Sequence, residues 1–120
     1  MISQELKDIA NHYGYEAQSN QLVEECAELV QAISKYRRAV LGLGQPVAEE
    51  KRAVILYNLA EEIADVEVML GQVKYLLQIP ESELDAIKYF KIMRTKERMR
   101  KNLWVGVVHI KNALLFLISL

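Results

Sequence analysis

Two short acidic runs, Glu24-Glu25-Cys26-Ala27-Glu28 and Glu61-Glu62-Ile63-Ala64-Asp65, hold the residues of this chain best suited to chemistry. Displacing the chain by 37 residues lays Leu22-Val23-Glu24-Glu25-Cys26-Ala27-Glu28-Leu29 on Leu59-Ala60-Glu61-Glu62-Ile63-Ala64-Asp65-Val66, acid on acid and apolar on apolar. Carboxylates three residues apart on a helix project together. If the two copies face each other, Glu25, Glu28, Glu62 and Asp65 converge. A pair of carboxylates about 5 Å apart repels by roughly 3 kcal/mol at an effective dielectric near 20, so a counter-ion is called for. Carboxylate oxygens are hard ligands, and the cation they select is magnesium, or manganese, rather than zinc or copper. A di-iron centre is disfavoured: helical-bundle iron sites use Glu-x-x-His pairs, whereas Ile9 and Gly106 precede His12 and His109 at that spacing. One Glu-Glu pair on a helix is ordinarily a solvated face. Two copies in register beside a buried stripe favour the metal reading.

The elements that must position these acids are helices. Sustained alternation is absent, and glycine and proline punctuate the chain sparsely. A first helix is expected over residues 3–12, with Leu6, Ile9 and Ala10 on one face and Gly14 ending it. A second is expected over residues 16–40, where Leu22, Cys26, Leu29, Ile33 and Tyr36 recur at three- and four-residue steps until Gly42, Gly44 and Pro46 break it. A third is expected over residues 48–77, carrying Leu59, Ile63, Val66, Leu70, Val73 and Leu77, and Pro80 closes it. A fourth covers residues 83–102. Glu25 and Glu62 fall at the edges of their stripes, with Glu28 and Asp65 one step further round. The short connection makes the second and third helices antiparallel and turns the acids toward one seam.

The pattern Glu24-Glu25-x-x-Glu28 followed by Glu62-x-x-Asp65 resembles the signature of the MazG-like nucleoside triphosphate pyrophosphohydrolases, the all-α NTP pyrophosphatases. The stretches NQLVEECAELVQAISKYRR and NLAEEIADVEVMLGQVKYLL are similar to the two halves of that family's central hairpin, covering about half of the chain. The resemblance implies a dimer or tetramer of helical hairpins that converts a nucleoside triphosphate to the monophosphate and pyrophosphate with magnesium. It implies Glu25, Glu28, Glu62 and Asp65 as metal ligands and Glu24 as the leading acid. Two cations would neutralise and orient the triphosphate and activate water without a covalent nucleophile. Glu24 or a ligand carboxylate such as Glu25 would take the proton, a choice the spacing leaves open. Lys35, seven residues after Glu28, returns to the same face and is a candidate phosphate contact. Tyr36, Tyr57 and Asn58 could meet a base or sugar, but tyrosines at helical spacing are more often core residues.

The remaining composition bounds the alternatives. A chain of 120 residues, 52% hydrophobic and 26% charged, fits one globular domain over residues 1–102 followed by an apolar C-terminal extension over 103–120. The expected fold is all-α, a bundle of about four helices completed by oligomerisation, since so short a chain gains from burying wide apolar faces against a second copy. A net charge of -1, a lone Cys26 and a leaderless amino terminus suit a cytoplasmic protein. Residues 88–101 concentrate seven lysines and arginines against Glu97 alone, with Lys91, Arg94, Arg98 and Lys101 in one stripe. Without interleaved aromatics this patch does not favour nucleic acid, and a solvated face is the commonest fate of such a run. Residues 103–120 are almost wholly apolar, but His109, Lys111 and Asn112 lie mid-segment and disfavour insertion across a membrane. The competing reading is a non-catalytic helical module for dimerisation or partner binding. Duplicated acids beside a buried seam oppose it, because their repulsion weakens association.

Overall fold

Ser3 accepts the backbone N–H of Leu6 on its hydroxyl at 3.3 Å and so caps a helix, α1, that runs Gln4–Leu41. The computed structural model describes residues 2–42 and 47–119, and only the backbone of Trp104 and Val105. Gly14 breaks helical geometry inside α1 with φ 85° and ψ 171°, a conformation open to glycine and costly for other residues. The two helices expected on either side of Gly14 therefore follow each other directly across one residue. Gly42 takes the left-handed conformation at the C-cap, with φ 67° and ψ 25°. Gly44 and Pro46, expected to complete that break, lie outside the described residues. Helix α2 spans Glu49–Leu76, and its end is tied by bonds from the N–H groups of Leu77 to Val73 O, Gln78 to Tyr75 O and Ile79 to Lys74 O. Helix α3 spans Glu81–Ser119. The basic helix and the apolar extension are thus one continuous helix, and the boundary expected at residue 102 falls inside it. Two compact units divide at Met1–Ile79 and Pro80–Leu120. The fold is all-α, and no strand occurs among the described residues.

In the first unit α1 and α2 form an antiparallel hairpin. Asn11 Nδ2 donates to the Tyr75 hydroxyl at 2.9 Å, and Gln18 Nε2 donates to Gln72 Oε1 at 2.7 Å, so partner numbers fall along α2 as they rise along α1. The contact repeats at alternating steps of four and three. Leu22, Glu25, Leu29, Ala32, Tyr36 and Ala39 are half-buried along α1. Ile55, Leu59, Glu62, Val66, Met69 and Val73 answer them on α2, with Ile55, Met69 and Val73 fully buried. This is the 3.5-residue seam of two helices wound on each other.

That seam corrects the expected stripes. Cys26 and Ile33 on α1, Ile63 and Leu70 on α2, and Leu77 at the C-cap of α2, are exposed. The sequence shows a broad apolar arc, but a single partner helix covers only its narrow centre. The rest forms an apolar edge on one side of the hairpin, where Leu56, Ile63, Leu70 and Leu77 recur every seventh residue. Glu25 and Glu62 lie within the seam rather than at its margin.

Candidate metal centre

The seam delivers the acids. Glu25 and Glu62 occupy positions one turn beyond Leu22 and Leu59, where the pattern otherwise places apolar side chains, and both are half-buried. Glu28 sits on the flanking position three residues after Glu25 and is exposed. Carboxylate oxygens of Glu25, Glu28 and Glu62 lie within 4.8 Å of one another. Asp65 lies outside this group and is exposed, since its side chain is one methylene shorter and starts from the rim of the seam. Glu24 is also exposed and outside the group, pointing away from the hairpin contact.

The electrostatics are uncompensated. Glu25 Oε1 accepts a bond from Gln21 Nε2 at 2.7 Å, but Glu25 Oε2 and Glu62 Oε2 are buried without any hydrogen-bond partner. Among the described residues no lysine, arginine or histidine forms an ion pair with the three glutamates. The like charge of Glu25, then that of Glu62, and then slight desolvation raise the pKa of Glu28 above its ordinary value. Buried carboxylate oxygens are normally paired, and each exception asks for an explanation. Two orphaned oxygens on carboxylates clustered with a third fit a hard divalent cation, for which the three side chains would supply ligands.

Beside the triad an open cavity of about 370 Å³ is lined by Glu28, Gln31, Ala32, Lys35, Ile55, Asn58 and Glu62. Lys35 therefore shares a wall with two of the acids, as its seven-residue offset from Glu28 implied. Tyr36 belongs to the seam, and Tyr57 is 64% exposed and lines no part of this cavity. Gln31, Ala32 and Ile55 were not anticipated. Their signal was available, since residues 28, 31, 32 and 35 share one helical face. Gln21, the donor to Glu25, was missed in the same way and lies one turn before it. The cavity and Glu28 flank the seam on its polar side, where Glu28, Lys35, Asn58 and Asp65 take equivalent positions. The apolar edge of Leu56, Ile63, Leu70 and Leu77 runs along the other side.

A polar lock lies at the open end of the hairpin. Gln72 is 1% exposed, and its amide nitrogen also donates to Val68 O at 3.3 Å. Neither acid run predicts this pair, because a lone glutamine in an apolar pattern carries no mark of burial. No protein-family model matches the chain, and neither a curated protein nor a solved structure matches it.

Proposed function

We propose that this protein is a magnesium-dependent nucleoside triphosphate pyrophosphohydrolase of the MazG-like kind, releasing the nucleoside monophosphate and pyrophosphate. The observation that carries the reading is the uncompensated triad of Glu25, Glu28 and Glu62, with two buried oxygens lacking any partner. Such an arrangement opposes folding unless a cation offsets it, so its presence in the seam points to ligand binding rather than stability. Glu25, Glu28 and Glu62 would hold the cation, and Asp65, on the rim three residues after Glu62, is proposed as a further ligand on the resemblance. Magnesium or manganese held there supplies charge neutralisation for the polyphosphate and a lowered pKa for the attacking water. Lys35 neutralises a phosphate oxygen from across the cavity, where its ammonium acts as a point charge. Glu28, whose proton affinity is already raised, and Glu25 are placed to accept a proton from water. The choice of the bond between the α- and β-phosphates rests on the resemblance of the two acidic helices to that family.

The exposed apolar edge of the hairpin accords with the dimer or tetramer that the same reading proposes. The apolar edge leaves Ile63, Leu70 and Leu77 more than 40% exposed on the side away from the acids, so a homodimer or homotetramer buries it without closing the cavity. The decisive assay incubates the purified chain with magnesium and each common ribo- and deoxyribonucleoside triphosphate, and identifies the products by ion exchange. Monophosphate and pyrophosphate from at least one substrate are expected. Diphosphate with orthophosphate, or no hydrolysis of any member, refutes the proposal. Light scattering at micromolar concentration tests the second copy, and a monomer there would exclude it.

A further inference from the structure

The pyrophosphohydrolase reading leaves α3 unused, although this helix carries the strongest contrast in the molecule. At about 100° per residue, Leu103, Val107, Ile110, Leu114 and Leu117 fall within one arc of the helix, and all are exposed. Lys91, Arg94, Arg98 and Lys101 fall on the opposite arc, and His109 and Asn112 continue that polar line beside the apolar residues. Exposure reaches 70% at Leu103 and 80% at Ile118. An 18-residue window of this helix has a mean hydropathy of 1.4 and none of it is buried.

We infer that α3 is a docking helix for an anionic lipid bilayer, lying along its surface with the Leu103–Leu117 face in the acyl boundary and Lys88, Lys96 and Arg100, which fall on the same side of the helix, against the headgroups. Charge selects this occupant. Residues 88–101 carry seven basic residues against one acid, Glu97, and Glu97 is itself paired with Arg100 at 2.7 Å. A helix with an apolar face and lysine- and arginine-rich flanks seats itself in the plane of such a surface. Orientation along the surface also accommodates the mid-segment polar residues that oppose a spanning helix. His109 and Asn112 stay on the water side, and the long stem of Lys111 lets its ammonium reach the headgroups.

A second copy of α3 is the competing occupant, and the same residues oppose it. The four-three spacing of Leu103, Val107, Ile110, Leu114 and Leu117 continues backwards onto Arg100 and Lys96. In a parallel pair these would face their own counterparts, like charge on like charge, while on an anionic surface both are favourable.

The test uses the full chain with vesicles of phosphatidylcholine alone and of phosphatidylcholine mixed with phosphatidylserine. Sedimentation with the mixed vesicles, release by salt, and a blue shift in the emission of the single tryptophan, Trp104, are expected. Replacing Lys88, Lys96 and Arg100 with glutamine should reduce partitioning by about a hundredfold, since each basic residue near such a surface contributes about fivefold. The apolar face is probed at Ile110 and Leu114, where I110D/L114D should abolish the blue shift while circular dichroism and the hairpin melt stay as in the parent. Equal partitioning onto neutral and mixed vesicles, or none onto either, overturns the inference. It is also overturned if the variants lose a self-associated species in sedimentation velocity, or affinity for duplex DNA, in place of vesicle binding. Nucleotide hydrolysis is read in parallel, so failure on vesicles with intact hydrolysis bears on α3 alone.

Discussion

Replacing Glu62 with glutamine separates a metal site from a structural carboxylate. Glu62 and Glu25 are both half-buried, each with an oxygen that has no partner, and their ligand oxygens lie within 4.8 Å. At an effective dielectric near 20 that separation corresponds to a repulsion of roughly 3 kcal/mol, and partial exposure reduces it to about 1 kcal/mol. The glutamine amide removes the charge and can donate to Glu25 Oε2. Glu62→Gln should therefore leave the metal-free protein as stable as the parent or more stable by about 1 kcal/mol, a rise of about 4 to 8 °C in Tm for a unit of this size. Magnesium at a hundred times its Kd should stabilise the parent by about 2.7 kcal/mol and the variant far less. Hydrolysis should fall to a trace. Melting curves of both proteins in chelator and in excess magnesium yield the comparison. Equal magnesium shifts, or an apo variant less stable by the roughly 3 to 5 kcal/mol that follows from breaking a buried ion pair, would refute the metal reading of Glu62.

Acid should stabilise the apo protein locally. The folded-state pKa of Glu28 is raised, so its protonation favours folding below the ordinary glutamate range and that contribution is lost as pH rises through the raised value. In chelator, the Tm of the parent relative to Glu28→Gln should climb as pH is lowered from neutral toward that range, and a flat difference would contradict the clustering. Gly14→Ala should cost about 1 to 3 kcal/mol in thermal melts, because its φ of 85° strains any side-chain-bearing residue although nothing lies within 4 Å of an added Cβ. An unchanged Tm would show that the break in α1 relaxes freely. Gln72→Ala should lower stability by about 1 to 3 kcal/mol, since it strands the buried Gln18 amide. Removing residues 103–120 should leave magnesium-dependent hydrolysis measurable, because the triad and cavity lie wholly within the first unit; loss of folding would tie that segment to the core.

The helical class and the antiparallel hairpin were legible because periodicity and the few Gly and Pro residues speak directly to backbone geometry. The convergence of Glu25, Glu28 and Glu62 was legible from the 37-residue echo, which places equivalent acids on facing helices. What the pattern could not resolve was rotation. Apolar residues recur on two adjacent arcs, and only the pairing itself shows that Leu29 and Val66 face inward while Ile33 and Leu70 face out. A rotation of one helical step exchanges the seam for its edge. Asp65 shows a finer limit: its spacing from Glu62 matches that of Glu28 from Glu25, but side-chain length decides whether a carboxylate at that position reaches its neighbours. The unity of α3 was hidden by composition, because a change from basic to apolar residues at Leu103 alters the solvent a helix prefers and not its backbone.

The same rotation explains why one hairpin can hold an acidic site without losing its fold. Positions on one flank of the seam gather Glu28, Lys35, Asn58 and Asp65, and positions on the other gather Leu56, Ile63, Leu70 and Leu77. Repulsion at Glu25 and Glu62 weakens the middle of the contact, while Ile55, Met69 and Val73 are buried on either side of it. The Gln18 to Gln72 bond adds a fixed register beyond Met69. Sliding α2 by one heptad would keep every apolar contact type but break that amide pair and leave two buried polar groups unsatisfied, so the bond selects the one alignment in which the acids meet. A hairpin selected only for association would place leucine at both glutamate positions and would need no such lock.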